Sequence, residues 1–210
     1  MDVSTGFMYH MVHWHRVEGK GPKDRLLDAA IDYVAANGIG DLSLRALAAA
    51  LGTSHRMLIH HFGSKEQLWV EIVRTVEQRQ RDLLPDLLPD PGADLRSSMR
   101  VWWKHISDPA LWPNERLFFE IYGQALQGRA HTTDVLDGIV DSWVDPVAEI
   151  NMTLGMSRDL ARAHARLGVS VTRGLLLDLL ATGDVAGVDA AMEAFIDVYV
   201  SWVEQYAPQA

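Results

Sequence analysis

Apolar positions along this chain recur at helical spacing almost from end to end. Leu27, Ala30, Ile31 and Val34 form one stripe. Pro22 suits the first turn of the helix that carries it, and Asn37-Gly38 is expected to close it as a left-handed cap. Ser43 then caps a second helix with an inner face of Leu44, Leu47, Ala48 and Leu51, ended by Gly52. Thr53 or Ser54 caps a third helix, which Phe62-Gly63 closes early. Ser64-Lys65-Glu66-Gln67 has the pattern of a capping box, in which the Ser64 hydroxyl and the Gln67 amide each meet a free backbone N–H. The fourth helix opened there is expected to reach about Leu84. No sustained period-2 alternation exists, so the fold class is all-α.

Pro85, Pro89 and Pro91 in "LLPDLLPDPGAD" cannot continue a regular helix. A domain junction is expected around 85–93. Five further helices follow at about 94–107, 113–128, 132–154, 157–182 and 186–206, about nine in all. Pro146 should kink the third of these five and free a carbonyl near Ser142 or Trp143. The division expected is an arm over 1–20, a head with its connecting helix over 21–84, and a helical body over 85–210.

Composition narrows the classes. The chain has 210 residues, 48% of them apolar and none of them cysteine, which excludes disulfides and thiolate metal sites. No apolar run is long enough for a membrane span, and the N-terminus lacks the apolar core of a secretion signal. A cytoplasmic location is expected. The net charge is −9, yet residues 1–81 hold ten Lys/Arg against nine Asp/Glu, whereas 82–210 hold nine against nineteen. A polyanion would be tolerated by the first part and repelled by the second.

The segment "LGTSHRMLIHHFGSKEQL", residues 51–68, carries the most chemistry. With Leu58 and Phe62 inward, a step of about 100° per residue points Arg56, Met57 and His60 outward, with Ile59 and His61 on the flanks. None of the histidines forms the i, i+4 pair that helical metal ligands prefer, so no metal site and no cofactor is expected. Two short helices meeting at "GTS" have helix-turn-helix spacing, with the second as the reading element. The start of the following helix, beside Lys65, offers N–H groups and positive charge to a phosphate.

"LSLRALAAALGTS", the "HHF" that ends the reading helix and the "SKEQL" after it resemble the TetR family of transcriptional regulators, over Lys23 to about Val73. The resemblance implies an N-terminal three-helix helix-turn-helix DNA-binding domain and a C-terminal helical ligand-binding and dimerisation domain. It implies a homodimer on double-stranded DNA, usually a repressor released from an inverted-repeat operator when a small-molecule inducer binds the body. Arg45, His55, Arg56, Met57 and His60 match base-contacting positions. Ser43, Thr53, His61 and Lys65 match phosphate-contacting ones. Ile59 departs from the pattern, because the family usually has a tyrosine there that meets the DNA backbone. An activator, or a helix-turn-helix protein that has lost DNA binding and acts through its body, remains open on that ground.

Seven aromatics lie between Trp102 and Trp143, with Met99, His105 and Arg116 among them. An apolar pocket with a few polar anchors is expected from Met99, Trp102, Trp103, His105, Trp112, Arg116, Phe119, Tyr122 and Trp143, for a mostly apolar or aromatic ligand. The last two helices are apolar on more than one side and need a second partner. Leu167, Val171, Leu175, Phe195, Tyr199 and Trp202 are the expected dimer contacts, with Gly168 and Gly174 permitting close approach. Arg173 should pair with a carboxylate or a carbonyl. No GxSxG, HExxH, P-loop, GxGxxG or ExxH pair is present, so no catalytic residue is assigned. A metal-responsive arm using His10, His13 and His15 is a lesser alternative.

Overall fold

A computed structural model describes residues 21–38, 42–84 and 94–206. The histidines of the arm and the three-proline stretch lie outside these residues. Among the described residues the protein is helical, with no strand. The N-terminal helices are α1 (Pro22–Asn37), α2 (Leu44–Ala50), α3 (His55–Phe62) and α4 (Lys65–Asp82). The later ones are α5 (Leu95–Ile106), α6 (Trp112–Leu126), α7 (Asp141–Thr153), α8 (Arg158–Thr182) and α9 (Val185–Tyr206).

Hydroxyl caps fix where α2, α3 and α4 begin. Ser43, Ser54 and Ser64 each accept the backbone N–H three residues on, from Ala46, Met57 and Gln67, at 3.1 Å. Each such cap contributes about 1 kcal/mol. Ser54, not Thr53, caps α3. The capping box at Ser64 is only half formed, because the Ser64 N–H donates to the Phe62 carbonyl at 2.9 Å. Gln67 instead folds over Gly63, where a Cβ would lie 2.1 Å from its Oε1. Gly63 has φ 78°, so the turn requires glycine for its backbone. Gly38 ends α1 with φ 70° but an extended ψ of −178°, not as the left-handed cap expected.

The helix expected over 132–154 is two elements. A short 3-10 turn spans Thr133–Leu136, and α7 starts only at Asp141. Gly138, at φ 69°, breaks the helical path. Val135 and Ile139, on either side of the break, both reach the core.

One apolar core runs from the head into the body. Ile31, Val34, Leu47, Leu58, Leu68 and Ile72 pack with Leu117 and Ile121 of α6 and with Val135. Lys23–Glu71, at 2.6 Å, and the Arg79–Asp28 pair tie α1 to α4. Two further clusters build the body. Trp103, Ile106, Leu176, Leu179, Met192 and Ile196 join α5, α8 and α9. Val144, Ala148, Ala161, Ala165, Tyr199 and Val203 join α7, α8 and α9. Arg162 pairs with Asp141 and Asp145, and Arg166 with Asp141 at 3.0 Å, tying α8 to α7. These pairs are exposed and contribute little.

Candidate functional site: nucleic-acid interface and internal cavity

Helix α3 is held from beneath by Leu58, which is fully buried, and by Phe62. That anchoring turns His55, Arg56, Met57, Ile59 and His60 to solvent on one face. Arg45 of α2 and Ser43 are also exposed. Neither Arg45 nor Arg56 makes an ion pair among the described residues, so both guanidinium groups are available to an anionic partner. Thr53 and His61 are half-buried at the edges of this face. His61 stacks edge-on against His60 at 5.1 Å, and its Nε2 has no hydrogen-bond partner among the described residues. Lys65 opens α4 with its ammonium 5.9 Å from the Trp69 ring centroid. Met57 and Ile59 are 41% and 38% exposed.

The body encloses a cavity of about 160 Å³. Every helix from α4 to α9 contributes to its wall: Glu77 and Gln80 of α4, Met99 and Trp102 of α5, Glu115, Phe118 and Phe119 of α6, Trp143, Val147 and Asn151 of α7, Val169, Arg173 and Leu176 of α8, and Met192, Phe195 and Tyr199 of α9. A network of buried polar groups sits on the α4 side. The Trp143 indole N–H donates to Glu77 Oε2 at 2.6 Å. Gln80 donates to Glu115 Oε1 at 2.8 Å. Arg173 donates to the Ile139 carbonyl at 2.9 Å and lies 3.7 Å from Glu77, so it has both of the partners expected as alternatives. Tyr199 donates to Asn151 Oδ1 at 2.6 Å.

Burial governs the ionisation of this network. Loss of water raises the Glu77 carboxyl, although the Trp143 hydrogen bond, Arg173 and Arg81 pull it back. Glu115 is pushed up to about 7, by burial first and then by the charge of Glu77. Burial also raises the Tyr199 hydroxyl to about 12.

Of the pocket residues expected, Met99, Trp102, Phe119 and Trp143 line the cavity. Trp103 turns away from Trp102, into the α5–α9 cluster, and donates to Asp189 at 2.7 Å. His105 packs on Trp102 at 5.9 Å, and burial lowers its pKa. Trp112 donates to the Ser107 carbonyl at 3.0 Å, with Arg116 over its ring at 5.6 Å. Tyr122 stacks on Phe118 outside the wall. Phe195 and Tyr199, assigned from sequence to a dimer contact, are part of the cavity wall. Gly168 faces those two rings, whereas Gly174 is exposed. Leu167 is 44% exposed, and Val171, Leu175 and Trp202 are half-buried. The polar wall residues Glu77, Gln80, Glu115 and Asn151 were not singled out from sequence. Their signal was position: each is a polar residue at the spacing of an inward apolar stripe, Glu77 and Gln80 continuing Val73 and Val76.

A helix-turn-helix head whose core is closed by a helical body with its own cavity defines a class of DNA-binding fold. The family described as "Bacterial regulatory proteins, tetR family" matches residues 26–72. A stretch of 98 residues is 50% identical to the HTH-type transcriptional regulatory protein RaaS of Mycobacterium tuberculosis; it is 47% of this chain and 38% of that protein. The match thus spans less than half of that relative's length. A transcriptional regulator from Rhodococcus sp. Rha1 shares the fold at a TM-score of 0.69, with 18% identity over 90% of this chain and 100% of the other. A TetR variant from Acinetobacter baumannii, solved in complex with minocycline, superimposes at a TM-score of 0.58, with 18% identity over 90% and 100% of the two chains. Residues 26–72 thus match the TetR family of bacterial regulatory proteins, and the chain shares the fold of the solved regulators.

Proposed function

We propose that this protein is a DNA-binding transcriptional regulator of the cytoplasm, acting as a homodimeric repressor that a small, mostly apolar or aromatic molecule releases from an inverted-repeat operator. The observation that carries the reading is α4. Its first half is packed into the head through Leu68 and Ile72, and its second half places Glu77 and Gln80 in the cavity wall. A ligand that displaces Glu77 or Gln80 therefore pushes on the helix that seats α3. The minocycline-bound relative supports a ligand role for this fold's body.

Arg45, His55, Arg56, Met57 and His60 are assigned to bases, and Ser43, Thr53, His61 and Lys65 to phosphates. The outer face of α8 and α9 supports the dimer: Leu167, Leu177 and Val198 are 44–50% exposed along it. Gly174, Ala194 and Ser201 keep it flat. A symmetric pair joined there would present two α3 helices about 34–36 Å apart, one turn of DNA.

The deciding experiment is selection of bound sequences from a random duplex pool at two salt concentrations. An inverted repeat with half-sites one turn apart supports the reading. A pool without consensus, with binding that vanishes steeply in salt, means phosphate attraction only and overturns it. One observation favours that second outcome: Ile59 exposes an apolar side chain where a hydroxyl would meet the DNA backbone. Sedimentation tests the dimer, which Leu177→Arg is expected to dissociate.

A further inference from the structure

The cavity wall is largely aromatic and aliphatic, with its charged groups gathered on one side. There Glu115 is only 4% exposed and accepts one hydrogen bond, from Gln80 to Oε1; its Oε2 accepts none among the described residues. The nearby cations are committed to Glu77. Arg173 lies 3.7 Å from Glu77 and spreads over the Phe118 ring at 5.2 Å. Arg81 lies 3.9 Å from Glu77 and over the Trp143 ring at 5.5 Å. Glu115 thus faces the cavity with no cation at ion-pair distance among the described residues. A buried carboxylate is costly unless paired. Trp102, Phe118, Phe119, Trp143 and Tyr199 also line the space, and the face of an aromatic ring attracts a cation.

Resting on the reading of this cavity as a small-molecule site, we infer that its ligand is a lipophilic monocation, an amine or quaternary ammonium on an aromatic ring, with its charge against Glu115. The size agrees. A cavity of about 160 Å³ is close to the ~150 Å³ that accepts a benzene ring. A carboxylate ligand is opposed, since it would meet both Glu77 and Glu115 and find Arg173 already engaged.

Binding is linked to a proton. The charged groups facing Glu115 are Glu77 on α4 and Arg173 on α8, with the neutral Gln80 amide beside them. With its carboxyl at about 7, Glu115 holds its proton in roughly half of the molecules at neutral pH. A bound cation favours the carboxylate, so the proton leaves to solvent. Affinity for the cation accordingly falls toward about tenfold per pH unit below that value.

The test uses the whole protein and three probes of similar shape: benzyltrimethylammonium, which has no proton of its own, its neutral isostere neopentylbenzene, and the anion 3-phenylpropionate. Binding is followed by calorimetry in two buffers of different protonation enthalpy and by tryptophan fluorescence. The cation is expected to bind at least about tenfold more tightly than the neutral isostere, with release of about half a proton at neutral pH. Glu115→Gln is expected to abolish both the preference and the proton release. Equal or tighter binding of the neutral or anionic probe overturns the monocation and leaves the ligand cavity standing. No binding of any of the three overturns the cavity reading itself. The isostere comparison and proton count on the unaltered protein decide the matter even if the variant folds poorly.

Discussion

Trp143 of α7 donates its indole N–H to Glu77 of α4 at 2.6 Å, inside the body and next to the cavity. The bond joins the cavity wall to the helix whose first half packs under the reading helix. It also gives a nearly buried carboxylate its closest donor, since Arg173 and Arg81 stand at 3.7 and 3.9 Å.

Trp143→Phe keeps much of the ring and removes that donor. It is expected to cost about 1–3 kcal/mol of stability. Burial raises the Glu77 carboxyl, so the loss should be larger at high pH, where it is charged, than in acid, where it is protonated. Urea unfolding on both sides of neutrality checks this; an equal cost at both would mean that the ring's packing alone matters.

Glu115 makes stability fall as pH rises. Its folded value of about 7 lies above the ordinary 4.5. The folded state therefore holds the proton more tightly, and the stabilisation is complete below the ordinary value. It is lost as pH rises through the folded one, by about 3 kcal/mol in all. Glu115→Gln is expected to flatten this decline and to be the more stable protein above neutral pH, as read by unfolding curves across that range.

Arg56 is exposed on α3 and free of any ion pair among the described residues. Arg56→Ala is expected to lose about 1–3 kcal/mol of discrimination at one guanine of each half-site, with non-specific affinity reduced far less. Competition binding with guanine-substituted operators measures it. Unchanged preference would remove Arg56 from the base-reading set.

Ile59 is 38% exposed beside it. Ile59→Tyr supplies a hydroxyl at the edge of the same face and is expected to tighten operator binding by about tenfold, the worth of one well-made hydrogen bond to a charged group. A weaker complex would show instead that Ile59 packs on the DNA, as on a thymine methyl.

The helices of the head were legible because their signals are local. Ser43, Ser54 and Ser64 cap within three residues, and Gly52 and Gly63 end helices through their own backbone. The exposed face of α3 followed from Leu58 and Phe62 by rotation alone. The split near Gly138 was not legible, since Val135 and Ile139 keep the four-residue spacing of one continuous helical face.

The sequence by itself determined the all-α class, the helix-turn-helix spacing and the residues that face outward from α3, because each depends on neighbours within about one helical turn. Only the tertiary structure decided which of two adjacent tryptophans lines the cavity, Trp102, and which closes the α5–α9 packing, Trp103. Only it brought Glu77, Glu115 and Arg173 from three separate helices to one wall. Partners far apart in the chain leave no periodic trace, and a buried carboxylate looks like a surface one until the helices that cover it are in place.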